Sequence, residues 1–379
     1  MEDNSWPSTK IKEIIDMYEL LKGTNLTPVF SDGGVDCYRV TGREYLNRYY
    51  VVSEEGTRNL LNKPEIVGFD VYNCMLKPTT RMMKYFKSEG LVNSANILSI
   101  LRGALNYPLE ESCYREKIRV HDISFLSSER VFHEAEIAGL EIKYSKLALV
   151  PDSTLLIGDI LATGDTLVHC LRYVTDHYRK HGAKLKNIIL FTIGGTKGIE
   201  IMERLTKEFR EFWPEFEGFI GVYYEGIFNC YQDKGVAGIQ LPNVDFYWAD
   251  GALAPAYRKQ SLSSRDVLFE KCIIYDGGAR RYEIADHVKE VLEYWEEVEE
   301  LADRIDFKAF TDERLGYATP VSKADWLHYN FYEEIDPAVT DELYAQETAY
   351  VKSLEGVTLK EIAKERIQQI TTALRKYMI

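Results

Sequence analysis

Leu155-Leu156-Ile157-Gly158-Asp159-Ile160-Leu161-Ala162-Thr163-Gly164-Asp165-Thr166-Leu167 is the stretch on which the fold turns. An apolar run ends in a short turn with the carboxylate of Asp159 at its mouth. Thr-Gly-x-Thr then opens a segment with Leu167, Leu171, Val174 and Tyr178 at helical spacing, and Gly182 suits its stop. A helix that starts directly after a strand leaves its first backbone N–H groups unpaired, and such groups can wrap a phosphate. Gly164 permits a turn that most residues resist and gives a phosphate close access. Thr163 and Thr166 add uncharged hydroxyl donors. The stretch reads as a cradle for a sugar phosphate, with Asp159 placed for ribose hydroxyls or a bound metal.

The flanking sequence predicts more units of the same kind. Asn96–Arg102 has the apolar character of a strand and leads into a turn over Gly103–Pro108. Asn187–Ile193 is another apolar strand, closed by Gly194-Gly195, and Phe219–Tyr224 a further one; Ile199, Met202 and Phe209 mark a helix between them. Strands and helices alternating at this length indicate βαβ units and a parallel sheet, whose ligands collect at the carboxyl ends of the strands. Both candidate loops fall there. After about residue 280 the character changes. Ile284, Val288, Val291, Trp295, Val298 and Leu301 form one apolar stripe among carboxylates, and Thr358-Leu359-Lys360-Glu361 fits a capping box opening a last helix with Ile362, Ile370 and Leu374. The expected organisation is a mixed N-terminal extension over 1–70, a core over 71–262 and a helical region over 263–379.

Composition sets limits. A chain of 379 residues can bury a substantial core. Its net charge of −14 argues against broad electrostatic binding to nucleic acid, which needs a basic face. From Arg281 to Ile379 there are 22 acids and 12 Lys or Arg, so most of the excess sits in the tail and the first 280 residues are near balance, as an anionic ligand requires. The six cysteines show no CxxC or zinc-like spacing and read as small buried apolar residues. The acidic start Met1-Glu2-Asp3-Asn4 has no apolar stretch of a signal peptide, and no apolar run approaches the ~18 residues of a membrane span. A reducing cytoplasm without membrane association is the expectation.

Leu155–Leu167 also resembles the signature by which type I phosphoribosyltransferases bind 5-phosphoribosyl 1-pyrophosphate (PRPP), most strongly that of the uracil phosphoribosyltransferases. Their Leu-Ala-Thr-Gly-Gly-Ser stands where this chain has Leu161-Ala162-Thr163-Gly164-Asp165-Thr166. Ile100-Leu101-Arg102-Gly103-Ala104-Leu105 resembles the family's Ile-Leu-Arg-Ala-Gly-Leu, and Tyr144-Ser145-Lys146-Leu147 its Tyr-x-Lys-Leu. Phe191-Thr192-Ile193 with Gly198-Ile199-Glu200 resembles the strand and helix start that follow. The match covers about residues 95–260. It implies an α/β fold, a parallel-sheet type I phosphoribosyltransferase-like core, here with an appended acidic α-helical C-terminal region. It also implies transfer of phosphoribosyl from PRPP to a pyrimidine-like nucleobase in nucleotide salvage, with Mg²⁺ carried by PRPP, and a homo-oligomer.

The resemblance assigns roles residue by residue. Arg102 becomes the pyrophosphate contact, and a strained, often cis, peptide before Gly103 aims backbone N–H groups at the same group. Asp159 binds ribose hydroxyls or sits near Mg²⁺. Gly103, Ala162, Thr163, Gly164, Asp165, Thr166 and Lys146 hold PRPP. The stretch 123–146 stands where the family has a mobile lid, and Arg130 would reach pyrophosphate on closure. The base is read near Leu241-Pro242 and by Tyr247, Trp248, Ala249, Asp250, Gly251 and Ala252, with Arg258 nearby. The rings of Phe246, Tyr247 and Trp248 suit stacking on a base or packing in a core equally well. The lone histidines His121 and His133 read as structural. Gly158 stands where the signature usually has an acid, and Asp165 replaces a glycine beside the phosphate. Ala162 occupies the place of an aspartate in the 6-oxopurine enzymes, which argues against hypoxanthine or guanine. Those departures motivate an alternative, a non-catalytic PRPP- or nucleotide-sensing protein on the same fold. A P-loop kinase fits badly, because Gly194-Gly195-Thr196-Lys197-Gly198 lacks the required order, and no GxGxxG follows any strand.

Overall fold

Ser94–Ile100, Ser153–Leu161 and Leu185–Gly195 are apolar almost end to end and buried over most of their length. Parallel strands have this composition when helices cover both faces of their sheet. The computed structural model describes residues 20–101, 103, 105, 107–133, 136–231, 245–271 and 277–377. In chain order it contains β1 (Asn25–Asp32), β2 (Val35–Thr41), β3 (Arg48–Glu54), α1 (Glu55–Asn62), α2 (Phe69–Ser88), β4 (Ser94–Ile100) and α3 (Tyr107–Arg115). There follow β5 (Arg119–His133), β6 (Glu136–Lys146), β7 (Ser153–Leu161), α4 (Asp165–Lys180), β8 (Leu185–Gly195), α5 (Thr196–Phe212), β9 (Phe219–Tyr231), β10 (Asp245–Leu253) and α6 (Pro255–Ser261). The chain then turns helical, with α7 (Gly277–Tyr282), α8 (Ile284–Leu301), α9 (Phe307–Leu315), α10 (Lys323–Tyr329), α11 (Pro337–Ser353) and α12 (Leu359–Leu374).

The strands form one sheet in the order β1-β2-β3-β9-β8-β7-β4-β5-β6, and β10 pairs with β9. From β3 to β5 the six neighbours run parallel; β1, β2, β6 and β10 are antiparallel to theirs. After β4 the chain moves to one side, to β5, and then returns to the other side of β4 as β7. Because such crossovers are right-handed, α3 and α4 lie on opposite faces of the sheet. A crevice therefore opens where the order reverses, above the carboxyl ends of β4 and β7.

One expectation needs correction. The described part of the 1–70 extension, residues 20–70, does not stand apart from the core, since Arg48–Glu54 is an inner strand paired on both sides, with β2 and β9. The reason is the run Tyr49–Glu54, buried throughout, which needs a sheet on each side of it. The stretch 123–146, where the resemblance sets a lid, is strand over its described residues. Its backbone forms the hairpin β5/β6, with register shifts between Ser127 and Ser128 and between Val131 and Phe132.

A second apolar cluster lies in the C-terminal helices. Val288, Val291, Trp295 and Val298 of α8 meet Ile362, Ala363, Ile370 and Leu374 of α12, together with Val67, Leu262, Leu268 and Phe269. Thr358 and Glu361 cap each other reciprocally at the start of α12. Arg366 of α12 donates from Nε to Glu270 Oε2 at 2.7 Å and from Nη1 to Glu65 Oε1 at 2.6 Å, which ties the tail to the segment before α2. Among the described residues no helix is long and apolar enough to cross a membrane.

Candidate active site

β7 delivers Asp159 to the crevice, and the turn after Leu161 opens α4. Gly164 is the helix N-cap at φ +74°, a left-handed conformation that costs a residue with a Cβ about 1–2 kcal/mol. It makes no side-chain capping bond, so the first-turn N–H groups have no side chain as partner from the cap. Ala162, Thr163, Gly164 and Thr166 are partly exposed. Asp165 is exposed, so its carboxylate meets solvent rather than the interior of the turn, and at a helix start it is favourable.

Gly103, after β4, comes against β7. A Cβ there would lie in ordinary contact, 3.5 Å, with Asp159 Oδ1 and tightly, at 3.0 Å, against the Ile100 carbonyl, so the loop passes close to the carboxylate. The Gly103 N–H donates to Ile100 O at 2.8 Å, and is not among the free amides expected to meet pyrophosphate. Arg102 and Ala104, with the expected strained peptide before Gly103, lie outside the described residues. Asp159 accepts from the Ile160 N–H at 2.9 Å, and among the described residues it has no ion-pair partner. Burial pushes its carboxyl from 3.8 up to about 7, against the small opposing effect of that one hydrogen bond. A carboxyl perturbed in this way at the end of a strand marks a candidate site, and a hydroxyl donor or a cation bound there favours its charged form.

Thr192 was not marked by sequence. It pairs with Asp159 in the β7/β8 register, is fully buried, and its Oγ1 has no hydrogen-bond partner among the described residues. A threonine inside an apolar strand reads locally as a strand former, so only the register reveals its place beside the carboxylate.

The hairpin β5/β6 rises next to this crevice. Its root is tied to α4: Cys170 Sγ lies 3.9 Å from Ser128 Oγ, and the hydroxyls of Ser145 and Tyr173 are 3.0 Å apart. Lys146 closes β6, is exposed, and makes no ion pair among the described residues. Arg130 is opposite Leu140 in the hairpin; its side chain lies outside what is described. Lys143 is paired with Glu141 at 2.6 Å. Cys37, Cys113 and Cys170 are buried free thiols, as small apolar residues would be.

The segment expected to read a base is β10, and its side chains behave differently from one another. Phe246, Tyr247, Ala249 and Ala252 are buried. The Arg314 guanidinium sits 4.8 Å over the Tyr247 ring, and that of Arg258 5.0 Å over Trp248, so both rings are committed to packing. Arg258 is only 1% exposed and donates from Nε to Glu347 Oε2 at 2.9 Å. It is a buried structural cation and not a base contact. Between Tyr247, opposite Asn229, and Ala252, opposite Ile227, the residues Trp248–Gly251 bulge out of the ladder. Asp250 stands exposed on this bulge at φ +56°. Leu241 and Pro242 lie outside the described residues.

The register sets these parts on one level. Leu161, Gly194, Ile227 and Ala252 are successive partners across β7, β8, β9 and β10. Three strand spacings of about 4.8 Å separate the phosphate turn from the bulge, roughly 14 Å.

No protein-family model matches this chain, and no curated protein matches it in sequence. Among solved structures it is similar to the AQ2163 protein from Aquifex aeolicus, at 17% identity over 44% of this chain and 81% of that one, with a TM-score of 0.33. It is also similar to a hypoxanthine phosphoribosyltransferase from Staphylococcus aureus (16% identity, 36% and 69% covered, TM-score 0.26). A third is the hypoxanthine-guanine phosphoribosyl transferase of L. donovani (13% identity, 35% and 75% covered, TM-score 0.27). Each likeness spans less than half of the chain, so what the site does is argued from its own residues.

Proposed function

We propose that this chain is a Mg²⁺-dependent phosphoribosyltransferase, taking PRPP and a pyrimidine-like base or a heterocycle of similar size. One observation carries the reading: at the reversal of strand order, the Gly103 loop after β4 approaches Asp159 of β7, and β7 runs on into the Gly164 turn that opens α4. A bound sugar pyrophosphate needs a phosphate turn, a ribose-directed carboxylate and a close-approaching glycine loop, and this grouping supports that reading.

In this reading the amides and hydroxyls of Thr163–Thr166 hold the 5′-phosphate, and Asp159 accepts from the ribose hydroxyls. Arg102 and Lys146 meet the pyrophosphate. The bond from the anomeric carbon to pyrophosphate breaks with its electron pair leaving on the phosphate oxygen, while a base nitrogen forms the new bond and sheds its proton. The sugar is oxocarbenium-like in between, so positioning, leaving-group charge and exclusion of water govern the rate. Among the described residues no group of three metal-ligating side chains occurs. Mg²⁺ fits as an ion brought in with PRPP, Asp159 being the carboxylate to hold it, and its contribution is to neutralise pyrophosphate charge. In this reading the hairpin β5/β6 shields the crevice and the β10 bulge reads the base.

Incubation with PRPP, Mg²⁺ and a panel of bases, followed by pyrophosphate release, tests this. Turnover with a pyrimidine supports the full reading. PRPP binding with no turnover on any base would leave a nucleotide-sensing protein instead.

A further inference from the structure

The C-terminal helices reach the core at one telling place. Trp248–Gly251 bulge from β10 without a ladder partner of their own, and Asp250 holds a left-handed φ of +56° although it is exposed. A strained residue on an open bulge persists only when its surroundings fix it. Those surroundings come from far along the chain. Gly316, at the end of α9 with φ +93°, backs directly onto the bulge: a Cβ there would lie 2.6 Å from Ala249 Cα and 3.3 Å from its nitrogen. Arg314, two residues earlier, covers the Tyr247 ring. Glu347 of α11 holds Arg258, whose guanidinium covers Trp248. Tyr332 Oη donates to Leu253 O at 2.8 Å and pins the far end of β10.

We infer that the C-terminal helical region is the back wall of the acceptor site, and that Gly316 and Arg314 are positioning residues that set the base affinity through the β10 bulge. This rests on the phosphoribosyl-transfer reading. The ligand it implies is a ring presenting N–H or NH₂ groups, because Asp250, the one charged side chain on the bulge, is an exposed carboxylate. The wall touches β10, about 14 Å across the sheet from the phosphate turn. Disturbing it should therefore affect the base and spare the phosphate.

Calorimetry on the full chain separates these effects, with ribose-5-phosphate as the probe for the turn and UMP, IMP and AMP as probes for turn and bulge together. The wild type is expected to bind ribose-5-phosphate and at least one of the nucleotides more tightly. Gly316→Ala is expected to weaken the tightest nucleotide by about fivefold or more, since small displacements of a binding group cost this much. Ribose-5-phosphate should change by less than about twofold, as distant sites do. Arg314→Lys, which keeps the charge and removes the planar cover over Tyr247, carries the same expectation should Gly316→Ala not fold. A nucleotide affinity untouched in the folded variant, or an equal loss for both probes, overturns the inference and leaves the phosphate turn standing. A wild type that binds ribose-5-phosphate but no nucleotide more tightly overturns it too. Absence of ribose-5-phosphate binding in the wild type removes the phosphoribosyl reading itself, and the inference with it.

Discussion

Asp159→Asn tests the crevice and the fold together. The carboxyl of Asp159 rises from 3.8 to about 7 in the folded chain, chiefly because burial disfavours its charge. At about 1.4 kcal/mol per tenfold, ionising it in the fold costs about 4 kcal/mol more than in the unfolded chain. Asp159 keeps part of its surface in water. Solvent screening reduces the expected effect to about half, ~2 kcal/mol. The sign follows from proton counting. Between about pH 4 and pH 7 the folded chain holds a proton that the unfolded chain has lost, so this group's contribution to stability falls as pH rises through that window and is level above it. An amide has no such penalty. Urea unfolding at pH 8 should find the Asp159→Asn variant more stable than wild type by about 2 kcal/mol, with the difference vanishing near pH 4. Over the same series, ribose-5-phosphate affinity at pH 8 should drop by about tenfold, as loss of charge-assisted hydrogen bonds to hydroxyls requires. A variant less stable than wild type at pH 8 would refute the reasoning, since it would mean that Asp159 is held by a favourable partner and is not a desolvated group waiting for a ligand.

Removing both hydroxyls in Thr163→Ala with Thr166→Ala should weaken ribose-5-phosphate by about tenfold, at roughly 0.5–1.5 kcal/mol each, and calorimetry showing no change would mean the phosphate binds elsewhere. Arg102→Ala should lower kcat/KM by more than about tenfold, because a pyrophosphate contact sheltered from water is worth well over ~1.4 kcal/mol; turnover near wild type would make Arg102 a surface cation. Glu347→Ala leaves the Arg258 guanidinium buried without its carboxylate, and should destabilise the fold by about 3–5 kcal/mol in urea; a loss under about 1 kcal/mol would contradict the burial of that pair. Glu225 is fully buried, and its carboxyl is likewise pushed from 4.5 to about 7 by burial. Glu225→Gln should therefore stabilise at pH 8 by about 3 kcal/mol and do nothing near pH 4, which the same urea series reads; equal stability at both pH values would show that Glu225 is ionised without penalty.

The strand–turn–helix around Gly164 was legible in sequence because everything that shapes it is local. Leu155–Leu161 carries its own strand signal, Gly164 its own left-handed φ, and Leu167, Leu171, Val174 and Tyr178 the buried side of α4. The strand–turn–helix units around it follow for the same reason. What sequence could not give depends on partners far along the chain. Arg48–Glu54 becomes an inner strand only because β9, some 170 residues later, lies beside it. Tyr247 and Trp248 carry the composition of a stacking platform, yet Arg314 and the Glu347-bound Arg258 cover their rings. Nothing in the spacing around residue 250 encodes those contacts.

The same distinction bears on which acceptor the crevice suits. Thr192 contributes a buried hydroxyl, Asp165 faces solvent, and Ala162 carries no ionisable group, so Asp159 is the described carboxylate that can reach a reacting ring from β7. In the proposed function it also serves the ribose, where an accepted hydrogen bond would favour its charged form and draw its carboxyl back down from about 7. Once the sugar is bound, Asp159 becomes a poorer base. A ring nitrogen that holds its proton firmly then has no strong base to take it, and general base help is worth about 10²–10⁴-fold in rate. An acceptor whose N–H is already acidic, as in an imide-bearing pyrimidine, loses little by that absence. In the proposed function, where the β7 carboxylate is shared with the ribose and Asp250 contacts the ring as an acceptor, such a ring is favoured over acceptors that need a dedicated base.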